Sequence, residues 1–249
     1  FSGTAGQVVF LDNTAFSTTD SSGNGGSSTW MLYDQYGNQV WAGSANGGDS
    51  GRLTLPSTGT YTLALSGAVN ANGTTTVAFT AWNVTDTTSS LAIGTPVTGA
   101  IALPGQYRNY TFTLAAPTRL WLDSLARAGS ASWTLTGPQG VVKSVPFSFD
   151  DQALGLLPAG TYSLRVSGIA DDAFAFNLLD LSAAASLTLG TSTTATLDPA
   201  GSTKLYRFSG TAGQVVFLDN TAFSTTDSSG NGGSSTWMLY DQYGNQVWA

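Results

Sequence analysis

Residues 1–42 of this chain recur letter for letter at residues 208–249, so the sequence repeats with a period of 207 (208 − 1). A fixed long period means one structural plan used again, and the fold must be one that can be laid end to end. Inside that period lies a weaker echo of about half the length. "IGTPVTGAIALPGQYRNYTF" at 93–112 aligns with "LGTSTTATLDPAGSTKLYRF" at 189–208. Gly94 falls on Gly190, Gly105 on Gly201, Tyr110 on Tyr206 and Phe112 on Phe208. "WTLTGPQG" at 133–140 matches "WMLYDQYG" at 30–37 and 237–244, and "GTYSLRVSG" at 160–168 matches "GTYTLALSG" at 59–67. Two related units therefore alternate, one of 96 residues (93 to 189) and one of the remaining 111.

The period within each unit is that of a strand. Tyr61, Leu63 and Leu65 alternate with Thr60, Thr62, Ala64 and Ser66; Tyr162, Leu164 and Val166, and Tyr110, Phe112 and Leu114, do the same. One apolar and one wet face mark antiparallel sheets with one buried side. β-branched and aromatic residues fill these runs, and turn signals such as "DQYGNQ", "ANGGDSG" and "TGPQG" separate them. "LDLSAAASL" at 179–187 reads as a strand end and linker. The fold class is all-β: tandem antiparallel β-sandwiches of roughly 100 residues with about eight strands each and little or no helix. The phase of the repeat predicts residues 1–85 as the rear of unit A with its first strand missing, 86–182 as a complete unit B, and 183–249 as the front of the next unit A. The strand predicted at 194–208 either belongs to a continuous array or completes the sandwich of a neighbouring copy by strand exchange. Nothing physical requires Ser22 to match Ser229, so perfect identity points to recent duplication of a long array.

The landmarks resemble those of the bacterial pre-peptidase C-terminal (PPC) domain. "LDPAGSTKLYRFSGTAGQVVFLDN", then "WMLYDQYGNQVWAG", then "LPSTGTYTLALSG" follow that family's order: a Tyr-x-Phe strand, a Gly-led apolar strand, a Leu-Tyr-Asp-x-x-Gly hairpin and a Pro-x-Gly-Thr-Tyr strand. The middle unit repeats it at Tyr110, Phe112, Leu135, Gly140, Pro158, Gly160 and Tyr162, and departs from it at "LTGPQG". The resemblance implies an exported, non-catalytic β-sandwich module of the kind appended to secreted proteases and strung through large surface proteins.

Composition narrows the function. Charged residues are 9% against the roughly 25% of an average domain, so the wet faces are Ser, Thr, Asn, Gln and Gly. All 15 acids are Asp, and there is no His, Cys or Glu. No Ser-His-Asp triad or Cys nucleophile can be assembled, and no enzyme is expected. Eight scattered cations make no nucleic-acid surface. No apolar run reaches the ~18 residues of a membrane span, and the signal of an exported chain would lie upstream of Phe1. Calcium is the one ionic candidate, through Asp150 and Asp151 in "FDDQ" and Asp20 in "TTDSSGNGG", although neither stretch has EF-hand or β-roll spacing. Asn72, Asn83 and Asn109 open Asn-x-Thr triplets that a glycosylating host could modify. Trp30, Trp237 and Trp133 share a core slot, whereas Trp121 in "RLWLDS" faces away from Leu120 and Leu122. It is expected as an exposed contact aromatic, at a junction between units or as a sugar platform. The reading is a structural repeat segment of an extracellular bacterial surface fibre or giant adhesin, its partners being neighbouring copies, joined covalently or by strand exchange. The alternative is a carbohydrate- or protein-binding module that takes glycans on its aromatics.

Overall fold

A computed structural model describes residues 1–19, 28–46, 48–67, 73–127, 130–146, 151–225 and 235–248. The calls on Asp20, Asn72 and Asp150 lie outside the described residues. The chain is almost wholly β, and the helical structure among the described residues is a single 3₁₀ turn, Leu181–Ala183.

The middle of the chain shows the architecture in full. Its strands are β9 (Thr87–Ser90), β10 (Val97–Ala100), β11 (Arg108–Leu114), β12 (Thr118–Arg127), β13 (Ser132–Gly137), β14 (Gly140–Pro146), β15 (Gln152–Leu157), β16 (Gly160–Ser167) and β17 (Ala173–Asp180). They form a five-stranded sheet ordered β14-β13-β16-β11-β9 and a four-stranded sheet ordered β10-β17-β12-β15. Every pairing is antiparallel except β9 with β11. The inward side chains of both sheets make one core, with Ile101, Leu122, Leu135, Leu164, Val166, Phe176 and Leu178 at its centre. Cross-strand partners stack across it: Phe112 opposes Tyr162, their rings 5.6 Å apart in the equivalent pair Phe1–Tyr61 and 5.2 Å here. Burying this apolar surface is the main favourable term of the fold.

Residues 1–85 repeat the plan through β1 (Ser2–Gly3), β2 (Val8–Thr18), β3 (Ser28–Tyr33), β4 (Gln39–Ser44), β5 (Arg52–Thr54), β6 (Gly59–Thr60), β7 (Thr62–Gly67) and β8 (Thr75–Val84). Sheet β4-β3-β7 corresponds to β14-β13-β16, and β5-β2-β8 to β15-β12-β17. The correspondence extends to single residues. The register of β2 on β8 slips between Asn13 and Ala15, and that of β12 on β17 between the matching Ser124 and Ala126. Tyr61 Oη donates to the Ser57 carbonyl at 2.7 Å, and Tyr162 Oη to the Pro158 carbonyl at 2.7 Å.

Residues 183–248 contain β18 (Ala185–Ser186), β19 (Tyr206–Arg207), β20 (Leu239–Tyr240) and β21 (Gln246–Trp248). The long strand expected over 194–208 is thus reduced to Tyr206–Arg207, paired in parallel with Ala185–Ser186. The identical 42-residue segments separate local from non-local causes. Val8–Thr18 is a strand because β8 pairs along its whole length; the same letters at 215–225 are in no strand. The Asp turn survives in both copies. Asp34 Oδ1 accepts from the amides of Tyr36 (2.9 Å) and Asn38 (2.8 Å), and Asp241 Oδ1 from those of Tyr243 and Asn245 (both 2.8 Å). Its bonds span four residues, so it needs nothing from elsewhere. The Asn38 and Asn245 side chains, with the turn amides, hold Asp34 and Asp241 below the usual carboxylate range.

The same contrast gives a controlled experiment. Phe10 is 9% exposed and its copy Phe217 is 86% exposed. Phe10→Ala should cost about 3 kcal/mol in urea unfolding, and Phe217→Ala less than ~0.5 kcal/mol. Equal losses would mean that both copies are packed alike.

Candidate functional site

The functional feature of this chain is a junction built twice. In β12 the alternation that sends Leu120 and Leu122 into the core sends Trp121 and Asp123 to the opposite face. That face is covered rather than wet. Trp121 is 4% exposed and Asp123 2%. The expectation of an exposed Trp121 is therefore corrected, because the chain that follows the middle unit returns to lie on it.

Trp121 meets the ring of Tyr240 edge-on at 5.7 Å and donates through Nε1 to Asp151 Oδ2 at 3.2 Å. Asp151 Oδ1 accepts from the Ser124 amide at 2.9 Å, and Asp151 Oδ2 also accepts from Thr203 Oγ1. The Thr203 amide donates to Asp123 Oδ1 at 3.1 Å. A Cβ on Gly201 would lie 3.5 Å from the Leu125 carbonyl oxygen, so the backbone of the returning segment runs close over β12. Beside the indole a cavity of ≈ 20 Å³ is bounded by Arg119, Ala153, Leu181 and Tyr240. It has room for about one water.

The first junction uses the corresponding positions. Aligning "VVFLD" with "RLWLD" puts Phe10 on Trp121 and Asp12 on Asp123. Gly105, the counterpart of Gly201, sits so close to Phe10 that an added Cβ would fall 2.5 Å from its ring. Around this contact Arg52 forms a two-pronged pair with Asp86 (2.8 and 2.9 Å) and donates to the Gly105 carbonyl. The Tyr107 amide donates to Asp86 Oδ1 at 2.9 Å. The Arg52 and Arg165 guanidinium groups lie 3.9 and 4.5 Å from the Tyr107 ring centre. Tyr107 and Thr203 are themselves counterparts at the 96-residue offset. The same loop of each following unit thus seats on the same strand of the unit before it, by a stacked cation and ion pair at one junction and by hydroxyl and amide bonds to the half-buried Asp151 and the buried Asp123 at the other.

The electrostatics of the second junction are unusual. Burial raises the Asp123 carboxyl to about 6; the Thr203 amide works against this shift and the Asp151 charge adds to it. Both Asp151 oxygens accept hydrogen bonds from the protein, and among the described residues no group of three or more acidic side chains gathers around a common point. Asn83 is exposed on β8 and accepts from Gln7 Nε2 at 3.3 Å. Asn109, expected to turn outward, is half-buried on β11 between Arg165 and Thr88. A groove of ≈ 400 Å³ is lined by Ser, Thr, Gly and Gln at Ser2–Thr4, Gln7, Gln35 and 58–60. Thr203, Asp123 and the Arg52–Asp86–Tyr107 cluster were missed in the sequence, although the pairing of an aromatic with an acid on the outer face of "RLWLD" was a usable signal.

No protein-family model matches the chain, and no curated protein matches it. Among solved structures it is similar to the pre-peptidase C-terminal domain of a collagenase from Bacillus anthracis, with 13% identity, a TM-score of 0.30, and coverage of 38% of this chain and 96% of that one.

The raised Asp123 carboxyl gives a signed prediction. The folded junction holds the Asp123 proton more tightly than the unfolded chain does. The resulting stability is complete below the unfolded value of about 3.8 and is lost as pH rises through about 6. The melting temperature should fall between pH 4 and 7, and amide exchange at Thr203 should speed up over the same range. Asp123→Asn should flatten both profiles; an unchanged slope in that variant would assign the effect elsewhere.

Proposed function

We propose that these residues are a stretch of tandem β-sandwich repeats from a long extracellular bacterial surface fibre or giant adhesin, and that their work is mechanical. The observation that supports this best is the junction built twice, with the loop of Gly105 and Tyr107 over Phe10 on β2 and the matching Gly201 and Thr203 over β12. A contact made between unit one and unit two, and again at matching residues between unit two and the next, is the nearest-neighbour interface of a one-dimensional array. It supplies stiffness by burying an aromatic on the outer face of a central strand. The hydroxyl-rich, sparsely charged surface suits an exported β protein, and a non-catalytic role accords with a chain that has no His, Cys or Glu.

The alternative, glycan binding on Trp121, loses its platform, since that ring is packed between Tyr240 and the carboxylate of Asp151. Asp151 is likewise committed to protein donors, which weighs against it as a calcium ligand.

Pulled from its ends in a single-molecule experiment, the chain should show a distinct unfolding event for residues 86–182. That event should release roughly 320–350 Å of contour at ~3.3–3.6 Å per residue. Extension without a resolved event of that size would remove the mechanical role. Protease shaving of intact source cells should release peptides of this sequence; their recovery only after lysis would place the protein inside the cell.

A further inference from the structure

We propose that the second junction is a proton latch: a proton shared between the Asp123 carboxyl and Asn177 Oδ1 holds the Thr203 loop of the next unit down on β12, and its loss to water loosens that joint while the sandwiches stay folded. Asn177 stands on β17 directly opposite Asp123 on β12. Paired residues of an antiparallel ladder leave the sheet on the same face, with Cβ atoms about 5 Å apart. The returning segment covers that face, and Asn177 is 8% and Asp123 2% exposed. Asn177 Oδ1 is buried and has no hydrogen-bond partner among the described residues. An amide oxygen only accepts, and so does a carboxylate. An ionised Asp123 therefore sets acceptor against acceptor, whereas the neutral acid has an O–H to donate. Buried polar atoms are ordinarily satisfied, and the Asp123 proton is the donor that the register brings to Asn177.

The same carboxyl reaches the next unit. Its Oδ1 accepts from the Thr203 amide at 3.1 Å, and Thr203 Oγ1 donates to Asp151 Oδ2. Seating one residue thus gathers two carboxyl groups under a covered face, and a proton on one of them removes their repulsion. The charged groups that face Asp123 are Asp151, just ahead of β15, which favours the proton, and Lys204 on the returning segment, which opposes it. β17 presents the uncharged Asn177, and on β12 itself Arg119 lies beside Gly244. Burial above all, with the Asp151 charge behind it, carries the seated carboxyl to about 6 from an ordinary 3.8. A lifted loop returns Asp123 to water, so between these two values the lifted form gives up its proton and the seated form keeps it. The joint is tightest below about pH 4, weakens about tenfold per pH unit up to about 6, and is about a hundredfold looser above that. The first junction lacks the device. There Asp12 opposes Thr80 and accepts from Trp82 Nε1 at 3.1 Å, and the Tyr107 amide goes to Asp86, which is paired with Arg52. A joint that loosens is a change of stiffness, so the latch rests on the mechanical reading for its use and on the junction alone for its existence.

Amide exchange of the 249-residue chain by NMR between pH 4 and 7, corrected for intrinsic rates, tests this. The opening constant at Thr203 should rise about a hundredfold and stay well above those of Leu164 and Phe176 in the core, while that of Tyr107 stays level. Thr203 opening only together with the core, or Tyr107 moving in step with it, would overturn the latch. Asn177→Leu separates a shared proton from burial alone by the sign of its effect. Loss of the acceptor should bring the Asp123 titration, followed by the carboxyl carbon shift, down by about one pH unit; a midpoint unmoved or raised counts against the shared proton and sinks the proposal. Asp123→Asn keeps an acceptor for the Thr203 amide and sets an N–H where the O–H stood. In that variant Thr203 should hold its acid level of protection throughout; the neutral level instead would overturn the latch without recourse to Asn177→Leu. Excess calcium should leave the wild-type titration in place, and a midpoint driven down by calcium would give the Asn177 oxygen to a metal and end the proposal. A chain that yields under load without a resolved event loses the mechanical role and keeps the latch; a chain that shows the event while Thr203 stays level does the reverse.

Discussion

The ladder between Val8–Thr18 and Thr75–Val84 is the constraint on which the first unit depends, as that between β12 and β17 is for the middle one. Each joins residues more than forty positions apart and carries the inward side chains that meet the other sheet. A strand has no internal hydrogen bonds, so its backbone groups are satisfied only when a second strand arrives. The duplicated 42 residues show this within one molecule. In the first copy, where β8 pairs with β2, Leu11 and Trp30 are buried; in the second, Trp237 is 41% and Val215 92% exposed. Among the described residues of the second copy the Asp turn and a short hairpin, β20 with β21, persist. Propensity and turn chemistry suffice for the hairpin tip, and the sheets wait for distant partners.

The junctions follow from the same economy. A central strand has two faces, and in a sandwich only one of them is needed for the core. In β2 and β12 the outer face also carries a large ring, Phe10 or Trp121, that would be costly to leave in water. The next unit covers it with a glycine-bearing loop, and at Gly105 an added side chain would collide with the Phe10 ring. Covering the ring also dehydrates whatever acid sits beside it. At the first junction Asp86 takes on a guanidinium, and 31% of its side chain stays exposed. At the second, burial of Asp123, helped by the Asp151 charge, outweighs the bonds from Thr203 and the charge of Lys204, which is why its proton is held so tightly.

Much of this was legible in the letters. Alternation in "TYSLRVS" and "RNYTFTL" named residues that fill the core, and the repeat offsets set the same landmarks in both units. Trp121 was rightly turned away from Leu120 and Leu122. Its burial could not be read, because whether an outward ring meets water or another unit depends on the path of the chain some eighty residues later, at Thr203. The long strand expected at 194–208 misjudged the same thing from the other side. Its composition is strand-like, but a strand forms only where another arrives to pair with it, and among the described residues Ala185–Ser186 does so over two positions. Thr203 and Asp86 gave no local sign at all, since an isolated Thr or Asp in a turn-rich chain is ordinarily a solvated turn residue.

Edge strands make the last link. Proteins usually guard exposed sheet edges with lysines, prolines or inward charges. This chain has two lysines in 249 residues, and β7 and β8 contain neither lysine nor proline. Strands with so little protection need a partner, and in the middle unit β11 covers β16 and β10 covers β17. A periodic sequence meets that requirement at no extra cost, since each unit brings both an edge and the segment that fits it. Repetition, low charge and unprotected strands are then three aspects of one condition: the surface of each unit is finished by its neighbour.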